Sequence, residues 1–215
     1  MSKQIIYLGT NGTGKTFSAL TIANEVAKHR PVIICHKGIE QKFDNIPYIN
    51  IKDRKLTAKL KKGIFAVEPS EYAYRRDEII RHEDPNKEDK TKEVSKNVFT
   101  YILENLYDAL VIFDDSKNYI FRREIEEINR LLRNRRQRML DFIFMFHSVD
   151  DVPSIFWNNS TDIIMFNVNS DIPSSITGDK RQMLNEMRRI VKQNINQNKH
   201  YASHFDMTTN QFVKY

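Results

Sequence analysis

Residues Gly9 to Thr16 read Gly-Thr-Asn-Gly-Thr-Gly-Lys-Thr, and no other stretch restricts the fold of the chain as much. Gly9, Gly12 and Gly14 allow a backbone curl in which successive N–H groups converge on one point, a conformation that Cβ-bearing residues resist. The apolar run Ile5-Ile6-Tyr7-Leu8 leads into the loop, and a segment of helical composition, residues 15–30, leads out of it. Strand, glycine loop, helix is the context in which the pattern G-x-x-x-x-G-K-[ST] cradles phosphate. The loop amides and the positive end of the helix would face the anion. Lys15 would reach the β- and γ-phosphates and the Thr16 hydroxyl a Mg²⁺ ion. Gly9, Thr10, Asn11, Gly12, Thr13, Gly14, Lys15 and Thr16 are therefore the expected nucleotide-binding residues, with ATP and Mg²⁺ as cofactors.

A chain of 215 residues is long enough to bury a core as one large domain, expected over residues 1–215. Its longest apolar runs, 109–113 and 142–146, have strand length and fall far short of a membrane span. The N-terminus enters the first strand directly, without a signal-peptide pattern, and the single Cys35 cannot form an internal disulfide. A reducing cytoplasm is the expected compartment. The net charge of +6 favours polyanionic partners, nucleic acid foremost.

Strand-like runs fall at 4–8, 32–35, 64–67, 110–113, 142–146 and 163–168. Helical stretches are predicted between and after them, at 15–30, 70–82, 94–107, 122–138 and 179–194. Short apolar strands alternating with helices predict an α/β fold whose mostly parallel sheet is flanked by helices on both faces, the ligand lying at the carboxyl ends of the strands. Residues 82–93 contain no apolar residue except Pro85 and read either as a surface loop or as an insertion facing DNA or a partner. Residues 201–215 alternate apolar and polar around Thr208-Thr209-Asn210, predicting a C-terminal antiparallel hairpin at the sheet edge.

The run Leu110-Val111-Ile112-Phe113-Asp114-Asp115 has the form of a Walker B element. Asp114 would serve the metal and Asp115 would polarise the attacking water, although Asp-Asp-Ser after a strand is also ordinary turn chemistry. The strand 142–146 ends in His147-Ser148. His147 would sense the γ-phosphate if that strand neighbours the Asp114 strand, or else be a plain strand-end histidine. Residues 130–138 carry five arginines, and three readings compete for them: a solvated helix end favoured by the dipole, a DNA-phosphate surface, or a source of an arginine finger for a neighbouring subunit.

The order of phosphate loop, Asp-Asp strand, arginine-rich helix end, polar-ended strand and the segment Asp151 to Asn159 resembles the FtsK/HerA superfamily of DNA-pumping P-loop ATPases, over nearly the whole chain. Those proteins typically read Arg-x-x-Gly-hydrophobic before the sensor strand and Thr-Gln at its end, with an Asn before the next strand. The resemblance puts Arg136 at the position of the trans-acting arginine and Asn159 at the later Asn. Met139 departs from the Gly, and His147 from the sensor Gln. The bare motor core is most similar to the compact genome-packaging ATPases of small viruses. It is also similar to the zonula-occludens-toxin-like assembly ATPases of filamentous phages, which usually continue into a membrane helix. The resemblance implies a Mg-dependent ATPase translocating double-stranded DNA as a homo-oligomeric ring, hexamer or pentamer. It further implies a capsid or virion membrane protein as partner, in the host cytoplasm or on the virion. A small-molecule or nucleotide kinase is the other enzymatic reading, with Arg75, Arg76 and Arg81 as its only lid candidates. A GTPase is disfavoured, since Asn198-Lys199-His200-Tyr201 fails the Asn-Lys-x-Asp pattern at its last position.

Overall fold

The computed structural model describes residues 2–36, 45–49, 60–67, 74–80, 90–96, 98–118, 120 and 125–213. Eight strands form one sheet: β1 (Gln4–Leu8), β2 (Pro31–Cys35), β3 (Gly63–Val67), β6 (Ala109–Phe113), β7 (Leu140–Phe146), β8 (Asp162–Met165), β9 (Ser203–Asp206) and β10 (Gln211–Val213). Their order across the sheet is β10-β9-β8-β1-β7-β6-β2-β3. The run from β8 to β3 is parallel, and β9 and β10 add an antiparallel edge. That edge is the expected C-terminal hairpin.

The parallel strands are largely buried on both faces, which is why they read as mostly apolar runs. One face is covered by α1 (Lys15–Ala27), whose Ala19 and Ala23 pack with Tyr7, Val32, Ile34, Ile112, Ile143 and Met145. The opposite face carries the larger core. There α2 (Val98–Asn105), α3 (Ile125–Asn134), α4 (Ser154–Asn159) and α5 (Gly178–Asn194) pack on Ile6, Leu8, Ile33, Val111, Phe142, Phe144 and Phe146. Phe144 is at the centre of that core, stacked on Phe113 at 4.6 Å between centroids and edge-on to Phe156 at 4.5 Å.

Three helical expectations are corrected. The helix over 70–82 is replaced by β4 (Tyr74–Ile80), which pairs antiparallel with β5 (Lys90–Lys96) in a separate two-stranded sheet. Arg75 and Arg76 therefore stand on a strand, and Arg81 lies outside the described residues. The helix over 94–107 begins only at Val98, because residues 94–96 belong to β5. Of the solvated segment 82–93, residues 82–89 lie outside the described residues and the remainder is strand. Of the helix over 122–138, residues 122–124 lie outside the described residues, Ile125–Asn134 are helical, and the last arginines lie in a turn.

Candidate nucleotide-binding and catalytic site

The loop after β1 is fastened on both sides. Gly9 N–H donates to the Phe146 carbonyl at the end of β7 (3.2 Å), and Thr10 N–H to the Asn167 carbonyl just past β8 (2.9 Å). Glycine is required here for two different reasons. At Gly9 an added Cβ would lie 2.8 Å from Phe166 Cβ and from Thr13 Oγ1, whereas Gly14 has φ of 100°, in the left-handed region. Among the described residues no side chain caps α1, so the first-turn N–H groups of that helix are left for an anion in the cleft. Lys15 is only 6% exposed, and its ammonium donates to the carbonyls of Gly9 and Thr10. A buried cation inside a curl of amides, at a helix N-terminus, matches the donor set that a polyphosphate needs.

Across β7 stand the two carboxylates. Asp114 directly follows β6 and is buried, its amide donating to the Cys35 carbonyl. Asp115 has φ of 50°, a left-handed conformation that Asp tolerates better than most side chains. His147, directly after β7, brings Nε2 to 2.7 Å from Asp115 Oδ1. Asn11 to Phe17, Asp114, Asp115 and His147 surround one open cleft of about 330 Å³ at the carboxyl edge of the sheet, so the structure brings together the Lys15, Thr16, Asp114, Asp115 and His147 expected from sequence. The donors also suit Mg²⁺: a carboxylate beside a hydroxyl supplies the hard oxygens this ion takes.

Arg136 is not among them. The arginines past α3 sit at the amino end of β7, opposite the phosphate loop, which a seven-residue strand separates by about 20 Å. Arg136 is exposed. Its neighbour Arg135 is buried instead, with Nη1 donating to Gln4 Oε1 (2.5 Å) and to the Asn159 carbonyl (2.9 Å). Burial pushes the Arg135 guanidinium below its ordinary pKa and the charge of Arg136 adds to this, while Asp141 opposes it. Asn159 thus belongs to a structural network at the amino end of the sheet. Met139 has φ of 52°, so the departure from glycine retains the glycine-like backbone.

Two residues were missed, His200 in the cleft and His36 beside Asp114. His36 directly follows β2, with Nδ1 at 3.1 Å from Asp114 Oδ2. His200, in the segment between α5 and β9, lies against the loop so closely that a Cβ on Gly14 would be 2.9 Å from its Nδ1. His36 carried one signal, its place one residue beyond an apolar strand, the same signal that singled out His147. His200 carried none.

No family model matches the sequence, and no curated protein matches it. Solved structures do. Over 98% of this chain and 95% of the other, it superimposes on B204, the DNA-packaging ATPase of Sulfolobus turreted icosahedral virus, with a TM-score of 0.61 at 14% identity. The genome-packaging NTPase B204 of Sulfolobus turreted icosahedral virus 2 in complex with sulfate gives 0.63 at 12% identity, over 99% and 95% of the two chains. The chain has the fold of the B204 packaging NTPases. The complex of that protein with ATP-gammaS gives 0.58 at 11% identity, again over 99% and 95%. The mostly parallel P-loop sheet expected from sequence is thus matched along its whole length. Among the described residues, no helix is long and apolar enough to cross a membrane.

Proposed function

We propose that this chain, acting as a single ATPase domain, hydrolyses ATP to translocate double-stranded DNA into a viral capsid, as a ring of identical subunits. One observation carries the reading: a phosphate loop, a buried Asp114 and an Asp115–His147 pair share one cleft, on a fold shared end to end with packaging NTPases. Lys15 and the loop amides bind the β- and γ-phosphates. Thr16 and Asp114 would hold Mg²⁺, which neutralises phosphate charge when bound. Asp115 orients and deprotonates the attacking water, and His147 fixes the Asp115 carboxylate while its ring faces the γ-phosphate. Arg136 acts in a neighbour's site, a role that suits an exposed arginine too far from its own phosphates. The net charge of +6 suits a DNA track, and a capsid or virion membrane protein at a packaging vertex is the docking partner, in the host cytoplasm or on the virion.

The test is ATP turnover with and without duplex DNA, together with displacement of a bound roadblock from the duplex. Turnover stimulated by duplex DNA and coupled to displacement is expected. A rate indifferent to DNA would overturn translocation, and an absence of turnover would overturn the enzyme.

A further inference from the structure

His36 has no part in the reading above, yet its position is fixed with care. Cys35 pairs with Phe113 in the β2–β6 ladder, so the residues that follow each strand, His36 and Asp114, emerge side by side. Their backbones are tied down, His36 N–H to the Val67 carbonyl (3.2 Å) and Asp114 N–H to the Cys35 carbonyl (2.9 Å). Both are buried, and Asp114 also lines the cleft. Ligand atoms of His36, Asp114 and Asp115 all lie within 4.8 Å of one another, and His36 Nδ1 is 3.1 Å from Asp114 Oδ2. Octahedral ligands at about 2.1 Å from an ion lie about 3.0 Å apart when adjacent and about 4.2 Å apart when opposite. Small side-chain rotations would bring His36 and Asp114 onto one ion, with Asp115 alongside to act on the water. His147, bonded to Asp115, is the outer partner that would orient the second carboxylate.

We propose that His36 is a nitrogen ligand of the divalent-cation site centred on Asp114, giving that site a mixed imidazole and carboxylate character that takes Mn²⁺ in preference to Mg²⁺. The proposal rests on Asp114 being the metal carboxylate of the functional reading. Magnesium keeps to oxygen ligands and sheds water reluctantly, whereas a first-row transition ion gains from an imidazole. An ATPase of this design would be able to hold its cation at the Asp114 side of the cleft before nucleotide arrives.

Mn²⁺ alone, titrated into the full chain without nucleotide and followed by electron paramagnetic resonance, tests it. One bound Mn²⁺ per chain is expected, displaced only by a large excess of Mg²⁺. Its pulsed spectrum should show ¹⁴N modulation that is replaced by the ¹⁵N pattern when the protein carries [¹⁵N]histidine, a readout that needs no mutation. His36→Gln should abolish that modulation and weaken Mn²⁺ binding at least about tenfold. His147→Gln should keep the modulation. Bound Mn²⁺ indifferent to the histidine isotope, modulation lost with His147 rather than His36, or no Mn²⁺ binding at all would each overturn the proposal. Lys15→Ala separates this from the functional reading: it should lose nucleotide yet retain the nitrogen signature.

Discussion

His147 Nε2 stands 2.7 Å from Asp115 Oδ1, joining the end of β7 to the end of β6 across the mouth of the nucleotide cleft. The two side chains should therefore act as a unit. Asp115→Asn is expected to bind Mg-ATP normally and hydrolyse it about a hundredfold more slowly, the scale of a lost general base. His147→Ala should cost about tenfold or more, and the double variant should be no slower than Asp115→Asn alone, since coupled groups are not additive. Single-turnover hydrolysis with radiolabelled ATP checks this; multiplicative losses would show the pair to be independent.

Lys15→Ala should abolish nucleotide binding while leaving the chain folded, because the Lys15 ammonium holds loop carbonyls rather than the apolar core. Fluorescent-nucleotide titration and urea unfolding on the same preparation give both numbers. Retained affinity would remove Lys15 from the site.

Adjacent arginines should separate stability from activity. Arg135→Ala leaves Gln4 Oε1 and the Asn159 carbonyl without their buried donor and should destabilise by about 3 kcal/mol. Arg136→Ala should leave the urea midpoint unchanged and lower turnover steeply. Mixed with Lys15→Ala subunits it should regain activity, each variant supplying across an interface what the other lacks. A mixture that assembles on DNA and stays inactive would assign the finger to another residue.

Met139 holds a backbone that costs about 1 kcal/mol or more for a residue with a Cβ. Met139→Gly should raise the melting temperature by about 2–4 °C, as measured by calorimetry. A fall would mean that the half-exposed methionine side chain contributes more than the turn costs.

Acid should act through the β8–β9 junction. Burial pushes the Asp162 carboxyl up, but hydrogen bonds from His204 and Thr161 and the charge of Lys3 prevail, and it remains below the ordinary carboxylate pKa. A depressed folded-state pKa contributes stability above the unfolded value near 3.8, lost as the pH falls through and below it. Wild type should thus lose more stability between about pH 5 and about pH 3 than Asp162→Asn does, by urea midpoints at each pH. Parallel curves would rule this carboxylate out.

What the sequence revealed and what it hid divide along one physical line. Gly9 to Thr16 are legible because a phosphate imposes its demands locally, on consecutive residues. The strands of the central sheet are legible because burial on both faces leaves mostly apolar letters. Residues 74–80 were misread as helix because their hydrogen-bond partners are residues 90–96, and no local pattern announces a non-local ladder. His36 was passed over for the same reason: it matters only because β2 lies beside β6, an adjacency that no spacing in the chain encodes. The arginines of 130–138 read alike as letters, yet one is core and another is surface, which only their neighbours in space decide.

The position of β7 between β1 and β6 has a metric consequence. Neighbouring strands are about 4.8 Å apart, so one inserted strand holds the phosphate loop and the aspartate pair about 10 Å from each other, room for a phosphate with its hydrated cation between them. That gauge cannot slip. Phe142, Phe144 and Phe146 fill one core and Ile143 and Met145 the other, and a shift of β7 by one residue would exchange every one of them between faces. The spacing that the proposed hydrolysis would require is thus enforced from below, by aromatic rings packed in the core beneath the cleft.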